Sequence, residues 1–272
     1  ALYNYVFRDG VPMESPSYNF LWIRTLAALN DRLKKFGVDF FEDHRFQSVL
    51  KSPIHTMGTD QYTIDVGDSG STLGGVLGRD LNTYEVAFLN TGDSTFLSWL
   101  YPDGKRRNPG DRKFTYESLF RPEVDILDLS GAVSIDYSTS RLLAGYGLGK
   151  LAAGGDNPNT VAMTYSLHGS HYHWDFLNFE LFAFGQKMMP DFGYPDAMNA
   201  YVPGVFTWSQ NTVSHNTVVV DAHKQNRNVP GVLHNFTDGR FARTMGASTP
   251  AYSQVSRYRR NLVSVDAGND HN

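Results

Sequence analysis

Hydrophobic and polar positions change their period midway along this chain. In the first part, apolar side chains recur at helical spacing. Trp22, Leu26, Leu29, Leu33 and Phe36 step by four, three, four and three, with Arg24, Asp31, Lys34 and Lys35 elsewhere. Ser15 and Pro16 in front of this run suit an N-cap and a first helical position, and Gly37 suits a stop. The pattern predicts a second helix near 40–51, ended by Pro53, and further helix over about 82–100 with a break near Gly92. A glycine-rich loop, Gly67-Asp68-Ser69-Gly70 followed by Gly74-Gly75, lies between them. Pro102-Asp103-Gly104 and Asn108-Pro109-Gly110 mark a long turn region. From about Ile126 the pattern turns to short apolar runs broken by Gly, Asn, Asp and Pro. Ala132–Tyr137, Val161–Leu167, Phe176–Phe184, Thr217–Asp221 and Leu262–Val265 are predicted strands. Helices first and strands afterwards imply two packed regions, not a βαβ alternation.

The strand-rich part holds the candidate chemistry. His171 and His173 sit two residues apart, Asp191 follows His173 by 18 residues, and His215 follows Asp191 by 24. Two imidazoles and a carboxylate give a divalent ion two nitrogens and an oxygen, a donor set that suits zinc. On a strand, alternation puts His171 and His173 on one face, about 7 Å apart at the backbone. That permits shared ligation, or one ligand beside a histidine left for substrate. Asp191 follows an expected strand end, and His215 precedes the β-branched run at 217–220. A cupin would place a Glu four or five residues after the second His; Leu177 and Asn178 stand there instead. The Gly-Asp-Ser-Gly at 67–70 lacks the strand–turn–helix setting of a serine nucleophile.

Composition narrows the field. The formal net charge is −4 over 272 residues, which offers no broad basic field for nucleic acid. The dense basic clusters are Lys105-Arg106-Arg107 and Arg257-Tyr258-Arg259-Arg260, and the second could contact a polyanion. There is no cysteine, which excludes disulfides and thiolate metal sites. No apolar run approaches the roughly 18 residues of a membrane span. Aromatic residues make up 14 %, which suits β-faces and also contact with sugar rings. The chain opens on Ala1-Leu2-Tyr3-Asn4 and closes on Asp270-His271-Asn272 just after a strand-like run, so both ends are expected to be cuts through a longer protein.

The other candidate is Tyr18, four residues before Trp22 near the start of the first helix. The residues alone allow a core aromatic or a phenol whose phenolate the helix dipole would stabilise. Asp9-Gly10, Glu14-Ser15-Pro16-Ser17-Tyr18, Gly67-Asp68-Ser69, His171-Tyr172-His173, Asp191-Phe192-Gly193 and Ser214-His215-Asn216-Thr217-Val218-Val219-Val220-Asp221 occur in this order. Together they resemble the heparinase II/III-like polysaccharide lyases, a superfamily that includes alginate and glycosaminoglycan lyases. The resemblance implies an α+β fold: the C-terminal part of an (α/α) toroid over 1–128 and an antiparallel β-sandwich over 129–272. It implies β-elimination at a uronic acid of an acidic polysaccharide, in the periplasm or outside a bacterial cell. It makes Tyr18 the general acid, possibly also the base, and His171 a substrate-facing histidine across a cleft from it. It makes His173, Asp191 and His215 ligands of a structural zinc. Glu14, Asn19 and Arg259 become candidate substrate contacts. The family motif has His where this chain has Asn19, and its Asn and His that act on the substrate carboxylate and the C5 proton lie upstream of the tyrosine motif. The remainder of a longer chain, or a second copy, is expected to supply them. Two rival functions are a carbohydrate-binding protein without turnover and a metal-dependent hydrolase or oxygenase using the His/His/Asp set directly.

Overall fold

In the computed structural model, residues 2–70, 74–102, 129–153, 159–166, 171–194 and 202–266 are described. The turn region at 103–110 and its basic cluster, Lys105-Arg106-Arg107, lie outside them, as do the first part of the stretch from Ile126 and the end of the chain.

Helix α1 runs Pro16–Lys34 with proline at its first turn. Its buried stripe is Ile23, Ala27 and Asn30, one residue on from the expected Trp22, Leu26 and Leu29. Trp22 and Leu26 flank the core, whereas Leu29 is 38 % and Phe36 82 % exposed. Asn30 explains the shift. Its amide binds Asp39 and accepts from the Phe40 N–H at 2.6 Å, which folds the chain back beneath the helix. A buried polar residue with fixed partners counts as core, and a hydrophobic pattern does not see it. Ser15, the expected cap, makes no capping bond; its hydroxyl donates to the Asp68 carbonyl at 3.0 Å.

Asp43 caps helix α2, which runs His44–His55. Pro53 lies inside this helix instead of ending it. The Val49 carbonyl, deprived of an amide partner by the proline, accepts the Ser52 hydroxyl at 2.7 Å. Helices α3 (Leu81–Thr91) and α4 (Ser94–Leu100) are capped by Asp80 and Asp93, and Gly92 between them is left-handed at φ 70°. The four helices share one core built on Ile23, Phe46, Leu50, Tyr84, Phe96 and Trp99.

Five antiparallel strands follow in sequential order: β1 (Arg141–Leu143), β2 (Leu148–Ala153), β3 (Asn159–Thr164), β4 (Phe179–Ala183) and β5 (Gln186–Met189). After a short helix α5 (Val205–Ser209), strands β6 (Val232–Asp238), β7 (Ala242–Ser248) and β8 (Arg259–Val265) form a second antiparallel sheet. Leu151 and Met163 of the first sheet share a core with Met245 and Ala247 of the second. The approach is close: a Cβ on Gly149 would lie 2.3 Å from the Met245 sulfur.

Two expected strands are absent. Ala132 and Ile135, in the first, pack on the helical core. In the second, Val220 makes only a bridge to His223, and the chain is held by side chains: the Thr217 hydroxyl on the Phe176 carbonyl, the Tyr258 hydroxyl on that of Val218. Strand β4 is shorter than expected because Leu177 and Phe184 both adopt positive φ. Helical and sheet regions meet at buried Lys150, whose ammonium donates to the carbonyls of Met57 and Tyr137.

Candidate active site and metal centre

His173, Asp191 and His215 converge. One ligand atom from each lies within 4.8 Å of the others, and all three residues are buried. His173 comes from an irregular segment before β4, not from a strand. Asp191 follows β5, and His215 follows a single 3-10 turn, Thr212–Ser214, ahead of the 217–221 run that forms no strand. Tight loops bring them together. The 67–70 loop passes under the histidine segment so closely that a Cβ on Gly67 would lie 2.2 Å from the His171 carbonyl. Gly193 (φ 58°) likewise sits against the Ser69 carbonyl.

Neighbours orient each member of the triad. His173 Nε2 pairs with Asp68 Oδ1 at 2.8 Å. Asp191 accepts from Asn178 Nδ2 at 2.6 Å and from the Gly193 N–H at 2.7 Å, and it contacts His215 Nδ1 at 2.8 Å. His173 Nδ1 and His215 Nε2 are buried with no hydrogen-bond partner. Two orphaned imidazole nitrogens beside a carboxylate fit a divalent ion, and a carboxylate behind a ligating histidine is the usual outer support of such a site. Burial opposes charge on Asp191, but His215 and His173 outweigh it and hold the carboxyl below its ordinary value. Burial opposes charge on His215 too; Asp191 outweighs it and lifts the imidazole to about 9. Asp175, two residues beyond His173, is raised by burial in the same cluster.

Tyr18 and His171 form a second group. Their rings stack face to face, with centroids 3.5 Å apart and planes 9° off parallel. The pair is therefore in direct contact and not separated by a cleft. His171 Nδ1 meets Glu14 Oε2 at 2.8 Å, with about a third of each side chain exposed. Tyr18 occupies the first turn of α1, where a helix dipole would favour phenolate. The outcome is opposite: burial, then Tyr194, Asp68 and Glu14, raise the phenol above its ordinary value. Asn19 is buried; its side chain accepts from the Glu14 N–H and donates to the carbonyls of Pro12 and Glu14. It braces the loop that carries Glu14. Asp9 binds the Tyr146 N–H, and the Tyr146 hydroxyl binds the Glu14 carbonyl.

The basic cluster on β8 divides. Arg260 turns inward, donating to the carbonyls of Leu177 and Asn216 and lying over the Phe179 ring. Arg259 is exposed and hydrogen-bonds Asn261. No contact among the described residues joins Arg259 to the Tyr18–His171 pair. Sequence reasoning missed the part of Asp68, although the Gly-Asp-Ser-Gly loop was conspicuous, and it missed Tyr194, three residues after Asp191.

Residues 138–270 match the family described as "Heparinase II/III-like, C-terminal". This match supports a place for the chain in the heparinase II/III-like superfamily. An exo-oligoalginate lyase of Saccharophagus degradans is 24 % identical over 241 residues, which cover 78 % of this chain and 30 % of that protein. The structure is similar to that of a heparinase III, the BT4657 gene product with methylated lysines (TM-score 0.69, 16 % identity). It is also similar to the heparan sulfate lyase HepC from Pedobacter heparinus (TM-score 0.64, 16 % identity). Each likeness covers 97 % of this chain and 38 % of the other. These structures share the fold, helices followed by antiparallel sheets, as the superfamily resemblance implied. The chain spans well under half the length of the relatives it matches.

Proposed function

We propose that this chain carries the tyrosine–histidine half of a polysaccharide lyase site acting on a uronate-containing polysaccharide. The observation that supports it best is the Tyr18–His171 stack, part-exposed, lying directly beside a buried His/Asp/His triad. β-Elimination breaks the bond from C4 to the glycosidic oxygen. A base takes the proton on C5, the C5–H electrons form the C4=C5 double bond, and the leaving oxygen takes a proton from an acid. Tyr18, held protonated by its surroundings, suits the acid. Glu14 anchors one imidazole nitrogen of His171, which directs the other toward the substrate as proton acceptor or as donor to its carboxylate.

His173, Asp191 and His215 would hold zinc, which there supplies cross-linking of three loops. The burial of the triad supports a structural ion over a catalytic one, which keeps a position open to substrate. In the same reading, residues 1–128 close a helical toroid and 129–272 form the sandwich domain. The polymer substrate places the protein in the periplasm or outside the cell, and the family's upstream Asn and His complete the site. The test is the ultraviolet absorbance of unsaturated uronate released from alginate and heparan sulfate. The reading predicts release by the full-length protein and release at least about a hundredfold slower by its Tyr18→Phe variant; turnover near the parent rate without the phenol rejects it.

A further inference from the structure

Trp174 directly follows the histidine segment and takes no part in either group described above. Its backbone N–H donates to the Gln210 carbonyl at 2.9 Å, and the Gln210 side chain reaches Asp68 at 3.5 Å. Two cations lie on its indole: Lys224 Nζ at 4.2 Å from the ring centroid and the Arg227 guanidinium at 4.6 Å. Arg227 is further fixed by donating to the Tyr172 carbonyl at 3.0 Å. Lys34, Lys51 and Lys187 each reach an aspartate, but neither Lys224 nor Arg227 has a carboxylate partner among the described residues. The indole thus carries two like charges, each within 4.6 Å of its centroid, with no carboxylate partner among the described residues. An anion bound at the ring would offset this charge and take charge-assisted hydrogen bonds from the cation it meets.

The position bears on the candidate site. Trp174 is three residues from His171, at most about 11 Å along an extended backbone. Both Trp174 and Arg227 are tied to the backbone of 172–174, so the patch is rigidly related to the segment that presents His171.

We propose that Trp174, Lys224 and Arg227 form a separate anion subsite, which binds the carboxylate or sulfate of another acidic unit of the polysaccharide that reaches Tyr18 and His171. The identity of the ligand rests on the lyase reading; the subsite itself rests on the unpaired cations.

The test is calorimetric binding to Tyr18→Phe protein, with and without Lys224→Gln and Arg227→Gln. The probes are an alginate oligosaccharide (carboxylates only), a heparan sulfate oligosaccharide (carboxylates and sulfates) and a carboxyl-reduced, neutral alginate oligosaccharide. Thermal unfolding confirms the fold of each variant. The double glutamine variant is expected to bind acidic probes roughly tenfold more weakly at low salt, with less difference at high salt. The charge-keeping pair Lys224→Arg with Arg227→Lys should retain most of the affinity. A loss confined to heparan sulfate assigns the subsite to sulfate; a loss shared with alginate assigns it to carboxylate. Equal affinity of parent and variant, equal loss for the neutral probe, or no binding of acidic probes by the parent overturns the inference. The lyase reading fails differently, by absence of unsaturated product from protein that still binds.

Discussion

His171 and His173 are two residues apart and live in different chemical worlds. The His173 side chain is fully buried, pairs with Asp68, and faces another imidazole and a carboxylate. The His171 side chain is 32 % exposed, stacks on a phenol and pairs with a glutamate of similar exposure. The same contrast holds for the groups they belong to. The triad is closed from solvent, whereas the stacked pair has the part-exposed Tyr194 beside Tyr18. Desolvated ligands with orphaned nitrogens suit an ion that holds structure. A part-exposed phenol kept protonated suits proton transfer to a substrate. In the proposed reading these neighbouring histidines divide labour, and burial is what separates them.

Four changes sharpen or break this division. The largest effect falls on the exposed group. Tyr18→Phe should lower the rate of unsaturated uronate formation by about a hundredfold to ten-thousandfold, the usual worth of a positioned general acid. Its melting temperature should match the parent's. Next comes the buried group. Asp191→Ala leaves His215 without its carboxylate and should cost about 3–5 kcal/mol in denaturant unfolding, with the proposed zinc lost in metal analysis. Chelation of the parent should likewise lower the unfolding temperature. An unchanged melt in both experiments would contradict a structural ion.

A fourth histidine serves as the contrast to His215. His55, at the end of α2, is lowered to about 4 by burial and then by Arg141, Lys51 and Lys150, with no acid to offset them. Its folded value lies below its unfolded one, so stability is full above about 6.5 and falls as pH drops toward 4. The loss should reach roughly 3 kcal/mol, and His55→Gln should flatten that part of the stability–pH curve. The smallest effect concerns Glu14. Glu14→Gln keeps the geometry but removes the charge behind His171, and should cut turnover about tenfold while moving the pH–rate profile. A rate change with an unmoved profile would reduce Glu14 to a structural brace.

Much of the helical region was legible in the sequence because its signals are local. Gly92 divides α3 from α4 as expected. What escaped depended on distant partners. The α1 stripe shifted because Asn30 is satisfied by residues 39 and 40. Pro53 was tolerated because Ser52 fills the gap it leaves. The run at 217–221 looks like a strand by residue type, yet its polar groups are claimed by Phe176 and Tyr258 before a sheet can claim them. Strands β6 and β8 alternate between part-buried and exposed positions, so their apolar content was too thin to mark them fully. The metal triad was legible as a spacing. Its support by Asp68 was not, since the hydrogen bond spans 105 residues and follows from a glycine loop whose path no local pattern reveals.

The most direct test measures bound zinc and uronate-unsaturating activity on one preparation of the Tyr18→Phe protein. A full complement of metal with turnover at least about a hundredfold below the parent's is the predicted result. Turnover at the parent rate, with the metal in place and the phenol gone, would show that the chemistry resides elsewhere.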